Sequence, residues 1–130
     1  MIVSSAPPPL VRVFIVEDDH AVRDALTLLI ESLGWPCSAF SNGERFLQIA
    51  RPCCDDVLIL DLDLPGIKGT DIAASLREKG TIPSIYIISG LRHAAFEAGV
   101  AQIDPIAAFR KPLDTSDLLN TVVANHPPTL

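Results

Sequence analysis

The chain has 130 residues, and its sixteen acidic and ten basic side chains give a formal net charge of -6. This length is enough for one domain that folds without disulfides or a structural metal. Hydrophobic residues make up 48% and charged residues 20%, which argues against intrinsic disorder. No apolar run approaches the roughly 20 residues of a membrane helix. The acidic balance also disfavours nonspecific contact with nucleic-acid phosphates.

Proline-rich segments flank the part of the chain that has the pattern of a folded domain. Residues 1–10 lack a basic signal-peptide start and contain three consecutive prolines, so we expect a flexible segment there. We expect the domain to span residues 11–125 and a short tail to cover residues 126–130. Cys37, Cys53 and Cys54 lack zinc-ligand spacing, and we interpret them as reduced thiols of a cytoplasmic protein.

Short β-branched runs alternate with stretches in which apolar residues recur at helical spacing. Strands are predicted at residues 11–16, 37–40, 57–60, 84–89 and 107–110. Helices are predicted at residues 20–33, 44–50 and 70–79, weakly at 92–99, and after the capping residue Asp114. Gly99, Asp104 and Pro105 make the segment 92–105 irregular in this prediction. Five strand–helix repeats predict an α/β fold in which helices cover both faces of a parallel sheet.

Polar residues follow four of the predicted strands, at the sheet edge where doubly wound folds bind ligands. These strand ends carry Glu17-Asp18-Asp19, Asp61-Leu62-Asp63, Ser89-Gly90 and Lys111-Pro112. Clustered carboxylates repel each other, and an all-oxygen ligand set suits a hard cation such as Mg²⁺. A divalent cation, a lysine and a hydroxyl also stabilise a transferring phosphoryl group, and a carboxylate beside them can accept it.

Each of these motifs also has a purely structural interpretation. The acids at 17–19 could cap the first helix and complement its dipole, and residues 61–66 could form an ordinary polar turn. Ser89-Gly90 and Lys111-Pro112 carry little information by themselves. Their joint occurrence, each at the end of its own strand, favours the functional interpretation.

Over residues 11–125 the sequence resembles the receiver domain of bacterial two-component response regulators. The matching segments are 15–23, 58–69, 87–90 and 109–113, in the order and spacing of that family. The resemblance implies a flavodoxin-like, doubly wound sheet of five parallel strands in the order 2-1-3-4-5. It also implies a cytoplasmic signalling domain that is not an enzyme beyond its own phosphorylation and dephosphorylation.

The resemblance implies how a phosphoryl group would be accepted. Asp61 would be the acceptor, and the donor would be a sensor histidine kinase or a histidine phosphotransfer protein. Mg²⁺ would be held by Glu17, Asp18, Asp61 and the backbone carbonyl of Asp63. Lys111 would pair with Asp61 and then with a phosphoryl oxygen.

Further matched residues would shape the loops. Ser89 would hydrogen-bond the phosphoryl group and pull its loop inward. Gly69 would let the loop after the acceptor turn tightly, and the peptide bond before Pro112 would be cis.

Four positions depart from the usual pattern of the family. Glu17 stands in place of Asp, Ser89 in place of Thr, and Asp63 adds an acid beside the acceptor. Ala108 stands where the family usually has Tyr or Phe, and Phe109 follows it. Because side chains alternate along a strand, we expect Phe109 to face the core on the other side of the sheet. We therefore expect the phosphorylated state to be read through the loop at 89–91 and the segment 92–105.

Two other functions stay open at this stage. Asp61-Leu62-Asp63 fits the DxD motif of haloacid-dehalogenase phosphatases, but that motif normally follows the first strand, and the chain is short for that fold. A degenerate receiver that acts only as an interaction module is disfavoured, because Asp18, Asp61 and Lys111 are all present.

The partners expected from the resemblance are proteins. They are the phosphoryl donor, a downstream target and, as an open alternative, a second copy of the chain. We expect this domain to bind neither nucleic acid nor membrane. The sequence ends shortly after the last predicted helix, so a stand-alone receiver and a fragment of a longer protein are both open.

Overall fold

The computed structural model describes residues 11–127, so the expected flexible segment 1–10 and tail residues 128–130 lie outside the described part. Strands and helices alternate through five repeats, as predicted. The strands are β1 (Val13–Val16), β2 (Cys37–Phe40), β3 (Val57–Asp61), β4 (Ser84–Ser89) and β5 (Ala107–Arg110). The helices are α1 (His20–Ser32), α2 (Gly43–Ile49), α3 (Gly69–Lys79), α4 (His93–Ile103) and α5 (Thr115–Asn125).

The five strands form one parallel sheet in the order β2-β1-β3-β4-β5. The register places Val16 beside Leu60, Asp61 beside Ile88 and Ser89 beside Arg110, so the carboxyl ends of these strands share one edge. Both the predicted fold class and the strand order are confirmed. The acidic loop after β1, the end of β3, the end of β4 and the loop after β5 therefore lie along the same side of the sheet.

Side chains that alternate along the strands build two cores, one on each face of the sheet. The first core packs β-strand residues against α2, α3 and α4, through Phe46, Ile72 and Phe96 among others. The second packs the opposite faces of the strands against α1 and α5. Ala108 contacts the first core and Phe109 the second, so the expected orientation of Phe109 is confirmed.

The expectation that residues 92–105 are irregular, with only a weak helix to residue 99, is wrong. Helix α4 runs without interruption from His93 to Ile103 and passes through Gly99. Gly99 is buried, and a methyl group added to it would lie 2.8 Å from Leu62 Cδ1. This glycine therefore allows close packing and does not end the helix. The helix ends at Asp104, which adopts a left-handed conformation with φ 55°.

Smaller differences concern the ends of elements. Strand β1 begins at Val13 and not at residue 11, and Asp61 is the last residue of β3 and not the first of a loop. The peptide bond between Lys111 and Pro112 is cis, as expected. Between residues 11 and 127 no helix is long and apolar enough to cross a membrane, and the three cysteines form no disulfide there.

Candidate metal and phosphoacceptor site

Three carboxylates meet at the carboxyl edge of the sheet. One oxygen from each of Glu17, Asp18 and Asp61 lies within 4.8 Å of the others. Glu17 and Asp61 are buried, whereas Asp18 is exposed to solvent. The sheet topology thus brings together two sequence motifs that are more than forty positions apart.

The ammonium of Lys111 lies between two of these carboxylates. Its Nζ is 2.6 Å from Glu17 Oε1 and donates a hydrogen bond to Asp61 Oδ2 at 3.2 Å. Burial alone would lower the pKa of Lys111, but the two carboxylates outweigh this effect and raise it. The predicted pairing with Asp61 is therefore present, and Glu17 is a second and nearer partner.

The pKa of Glu17 is raised well above its ordinary value. Burial, followed by the neighbouring Asp61 carboxylate, raises the pKa of Glu17 from 4.5 to about 7, although Lys111 acts in the opposite direction. One lysine therefore does not fully compensate the negative charge that is gathered here.

The polar groups around the cluster fit a hard divalent cation. Oε1 of Glu17 is buried and has no partner with hydrogen-bond geometry among residues 11–127, although the ammonium of Lys111 is at ion-pair distance. Two other oxygens of the cluster accept from backbone amides, Glu17 Oε2 from Asp19 N at 3.2 Å and Asp61 Oδ1 from Asp63 N at 3.0 Å, whereas Asp61 Oδ2 accepts from Lys111 Nζ. Carboxylate oxygens in this arrangement suit Mg²⁺ better than a metal that prefers nitrogen or sulfur.

The capping function of the acidic loop belongs to one residue. Asp19 is the N-cap of α1, and its side chain accepts hydrogen bonds from the backbone amides of Ala21 and Val22. The structural interpretation of this motif is thus correct for Asp19 only. Glu17 and Asp18 direct their carboxylates to the cluster.

Asp63 contributes to the site through its main chain. Its amide donates to Asp61 Oδ1, while its side chain is 57% exposed and lies 3.5 Å from the ammonium of Lys68. Lys68 also donates a hydrogen bond to the carbonyl of Leu64 at 2.7 Å, which fixes the loop after β3. Sequence analysis did not identify Lys68, because a lysine in a loop carries no pattern of its own.

Ser89 is buried at the end of β4, beside the lysine loop. Its Oγ accepts a hydrogen bond from the backbone amide of Leu91 at 3.0 Å. Its carbonyl accepts from the backbone amide of Lys111 at 2.8 Å, which couples the ends of β4 and β5. No described hydrogen bond among residues 11–127 uses the Ser89 hydroxyl as a donor.

The structure gives a different reason for a glycine at position 69 from the one that the sequence suggested. A methyl group on Gly69 would lie 2.8 Å from the carbonyl oxygen of Asp61 and 3.1 Å from Leu62 Cα. The first turn of α3 therefore lies directly against the main chain of Asp61 and Leu62. The tight left-handed turn in this loop is made by Gly66, whose φ is 74°.

The five-stranded parallel sheet, with carboxylates, a buried hydroxyl and a lysine at its carboxyl edge, fits the receiver class of signalling domain. Comparison with known families agrees, because the response regulator receiver domain matches residues 13–123. The chain belongs to the response regulator receiver family, whose domains serve phosphorylation-controlled signalling.

Characterised relatives share about a third of the residues. The chain is 33% identical over 110 residues to the response regulator protein TmoT of Ectopseudomonas mendocina, and the aligned region covers 85% of this chain and 50% of that protein. It is 32% identical over 112 residues to nodulation protein W of Bradyrhizobium diazoefficiens, which covers 86% of this chain and 49% of that protein. The chain thus spans about half the length of these relatives.

Solved structures have the same fold. A response regulator from Colwellia psychrerythraea is similar with a TM-score of 0.76 and 28% identity, over 90% of this chain and 97% of that one. The BeF3-activated DrrB receiver domain has a TM-score of 0.78 at 20% identity, over 89% of this chain and 97% of that one. The second likeness is one of fold alone.

Proposed function

We propose that Asp61 accepts a phosphoryl group in a Mg²⁺-dependent reaction, and that the phosphorylated state changes the binding of a partner protein. The observation that carries the proposal is the environment of Asp61. Its carboxylate is buried, receives the ammonium of Lys111 at 3.2 Å, and lies in a cluster with the oxygens of Glu17 and Asp18.

The chemistry needs a nucleophile and a positive environment. A carboxylate oxygen of Asp61 forms a bond to phosphorus while the bond from phosphorus to the donor's imidazole nitrogen breaks, and the imidazole leaves with that electron pair. Lys111 stabilises the charge on the phosphoryl oxygens. Mg²⁺ would be held by Glu17, Asp18, Asp61 and the backbone carbonyl of Asp63, and it supplies further positive charge for those oxygens.

The structural change that follows phosphorylation would be transmitted through the loop after β4 and through α4. Ser89 would donate its hydroxyl proton to a phosphoryl oxygen, and its Oγ already holds the amide of Leu91. The carbonyl of Leu91 accepts from Arg110 at 2.9 Å, and the Arg110 guanidinium lies 4.9 Å from the ring centroid of Phe96 in α4. This connection supports reading the phosphorylated state at α4, with no need for an aromatic residue at position 108.

The donor would be a sensor histidine kinase or a histidine phosphotransfer protein of the cytoplasm. The output would be a protein interaction, with a downstream target or with a second copy of the chain. No observation favours a haloacid-dehalogenase-like phosphatase or a degenerate receiver, and the direct self-catalysed reactions of Asp61 are the only chemistry that we propose.

The experiment is incubation with acetyl phosphate, with and without Mg²⁺, followed by intact-protein mass measurement. One phosphoryl group is expected with Mg²⁺ and none after chelation. Asp61→Asn should stay unmodified, while Asp55→Asn, which changes an exposed aspartate near the start of β3, should behave as the wild type. An unmodified wild type would support the interaction-module alternative, and turnover of p-nitrophenyl phosphate would support the phosphatase.

A further inference from the structure

We propose that Arg23 is a positioning residue for the cation site. It would hold the main chain of the acidic loop, residues 17–19, so that the carboxylates of Glu17 and Asp18 reach Asp61. The inference rests on the metal-dependent function proposed above. It concerns a residue outside the carboxylate and lysine cluster, and its test measures cation binding directly.

The guanidinium of Arg23 reaches back from α1 to two consecutive carbonyls. Its Nη1 donates to the carbonyl oxygen of Glu17 at 2.8 Å and lies 3.3 Å from that of Asp18. One terminal nitrogen of the guanidinium therefore serves both carbonyls while the other, Nη2, lies against His20, and the single nitrogen of a lysine cannot occupy both positions. Arg23 is half-buried; its contact with the Glu17 carbonyl is partly buried and its contact with the Asp18 carbonyl is exposed.

Asp18 depends on this support more than its neighbours do. The Asp18 side chain is exposed and has no hydrogen bond or ion pair within residues 11–127, so its backbone alone sets the region that its carboxylate can reach. Glu17 is fixed from one side by its amide, which donates to Phe40 O at 3.0 Å, and Asp19 is fixed as the helix cap. The contacts of Arg23 fix the two peptide groups between these anchors.

Arg23 is itself held firmly. Its amide donates to Asp19 O at 2.9 Å, and its carbonyl accepts from Thr27 Oγ1 at 2.8 Å, so its backbone belongs to the first turns of α1. On the other side of the guanidinium, Nη2 lies 3.1 Å from His20 Nδ1, and His20 Nε2 lies 3.1 Å from Asp24 Oδ2. The Asp24 contact orients the His20 ring so that Nδ1 can accept from Arg23.

Charge and positioning predict opposite effects of removing Arg23. If the guanidinium acted only as a charge, its removal would take away a repulsion and strengthen the binding of a cation. If it acts by positioning, its removal frees the loop, and cation binding weakens although a positive charge has been lost. The sign of the change therefore separates the two roles.

The experiment measures Mn²⁺ binding by electron paramagnetic resonance of the free ion, with Mg²⁺ as competitor. Arg23→Met should weaken binding about tenfold, the effect typical of groups that orient metal ligands. Arg23→Lys, which keeps the charge but not the fork, should also bind more weakly than the wild type. Arg51→Met is the matched control, since Arg51 donates to the carbonyls of Gln48 and Ala50 at the far end of α2 and its loss should leave binding unchanged.

The outcomes are distinguishable. Affinities of Arg23→Met and Arg23→Lys equal to or tighter than the wild type overturn the positioning role and leave the proposed function intact. A wild type that binds neither ion overturns the metal site and the inference with it. Thermal unfolding of the metal-free variants identifies a loss that comes from unfolding, and Arg23→Lys then decides the question.

Discussion

Leu62, the residue directly after Asp61, packs its side chain against Gly99 in the middle of α4. A methyl group at position 99 would lie 2.8 Å from Leu62 Cδ1 and 3.3 Å from its Cδ2. On the other side, the first turn of α3 presses Gly69 against the same stretch of chain. Leu62, the neighbour of the proposed acceptor, is thus held between two helices, and a change at Asp61 can reach α4 by direct contact.

This contact predicts that Gly99→Ala disturbs both packing and signalling. The added methyl group should destabilise the fold by about 1–3 kcal/mol, the usual cost of an overpacked core. It should also alter the hydrogen-exchange change that beryllofluoride produces in α4. The measurements are denaturant unfolding and hydrogen exchange with and without beryllofluoride and Mg²⁺.

The control is a double-mutant cycle. Leu62→Ala removes the clashing methyl groups, so Gly99→Ala should cost less in that background than in the wild type. Ala98→Gly, at an exposed neighbouring position of α4, should change stability by about 1 kcal/mol through helix propensity alone and leave the response in place. Additive costs at positions 62 and 99 would contradict a direct role for the contact.

The raised pKa of Glu17 predicts a pH dependence of stability in the metal-free protein. Because its pKa rises from 4.5 to about 7 on folding, its stabilising contribution is complete below about pH 4.5 and is lost as the pH rises through 7. The loss should be about 3 kcal/mol. Glu17→Gln removes this dependence, so the variant should gain on the wild type between pH 5 and pH 8 in denaturant unfolding.

An exposed glutamate provides the comparison. Glu97→Gln on α4 should follow the wild type at every pH. In the wild type, the same deprotonation predicts that Mg²⁺ binds more tightly as the pH rises towards 7 and changes little above it. Unfolding free energies of wild type and Glu17→Gln that run parallel across this range would show that Glu17 titrates normally.

The position of Lys111 predicts that replacing it changes the Mg²⁺ affinity and the phosphorylation rate in opposite directions. Lys111→Met removes a positive charge beside the carboxylates, so Mg²⁺ should bind more tightly, by about tenfold for an interaction of about 1.4 kcal/mol. Phosphorylation by acetyl phosphate should nevertheless be slower, because the charge that stabilises the phosphoryl oxygens is lost. Calorimetric titration and the rate of mass gain measure the two quantities, and parallel changes in both would be inconsistent with this role.

The structure predicts that the side chain of Asp63, unlike its main chain, contributes little to Mg²⁺ binding. Asp63→Ala keeps the backbone carbonyl and removes a carboxylate that is directed to Lys68, so Mg²⁺ affinity should change by about twofold or less. Asp18→Ala removes a carboxylate of the cluster itself and should abolish measurable binding in the millimolar range. Equal losses in the two variants would place the Asp63 side chain on the cation.

Sequence reasoning predicted which residues meet at the carboxyl edge of the sheet, because that placement depends on topology. The positions of Asp61, Ser89 and Lys111 follow once their strands are recognised as parallel, since such strands end at one edge. The orientation of Phe109 follows in the same way, from the alternation of side chains along β5. Neither conclusion requires knowledge of a tertiary distance.

The errors and omissions concern contacts between elements. Gly99 has the sequence signature of a helix breaker, yet it lies inside α4 because Leu62 leaves no room for a side chain. The approach of Lys111 to Glu17 and the reach of Arg23 to the acidic loop depend on side-chain conformations that no local pattern specifies. The sequence offers for Arg23 its place six positions after the first acid of the loop, at the end of the matching segment 15–23, but nothing that indicates its contacts.

The central claim is that Asp61 becomes an acyl phosphate in the presence of Mg²⁺. Borohydride reduces an aspartyl phosphate to homoserine, so treatment after incubation with acetyl phosphate and Mg²⁺, followed by peptide mass mapping, reads the acceptor directly. We predict homoserine at position 61 and at no other aspartate, and none when Mg²⁺ is chelated. Homoserine at another carboxylate, or an unchanged residue 61 in a folded protein with Mg²⁺ present, would contradict the account.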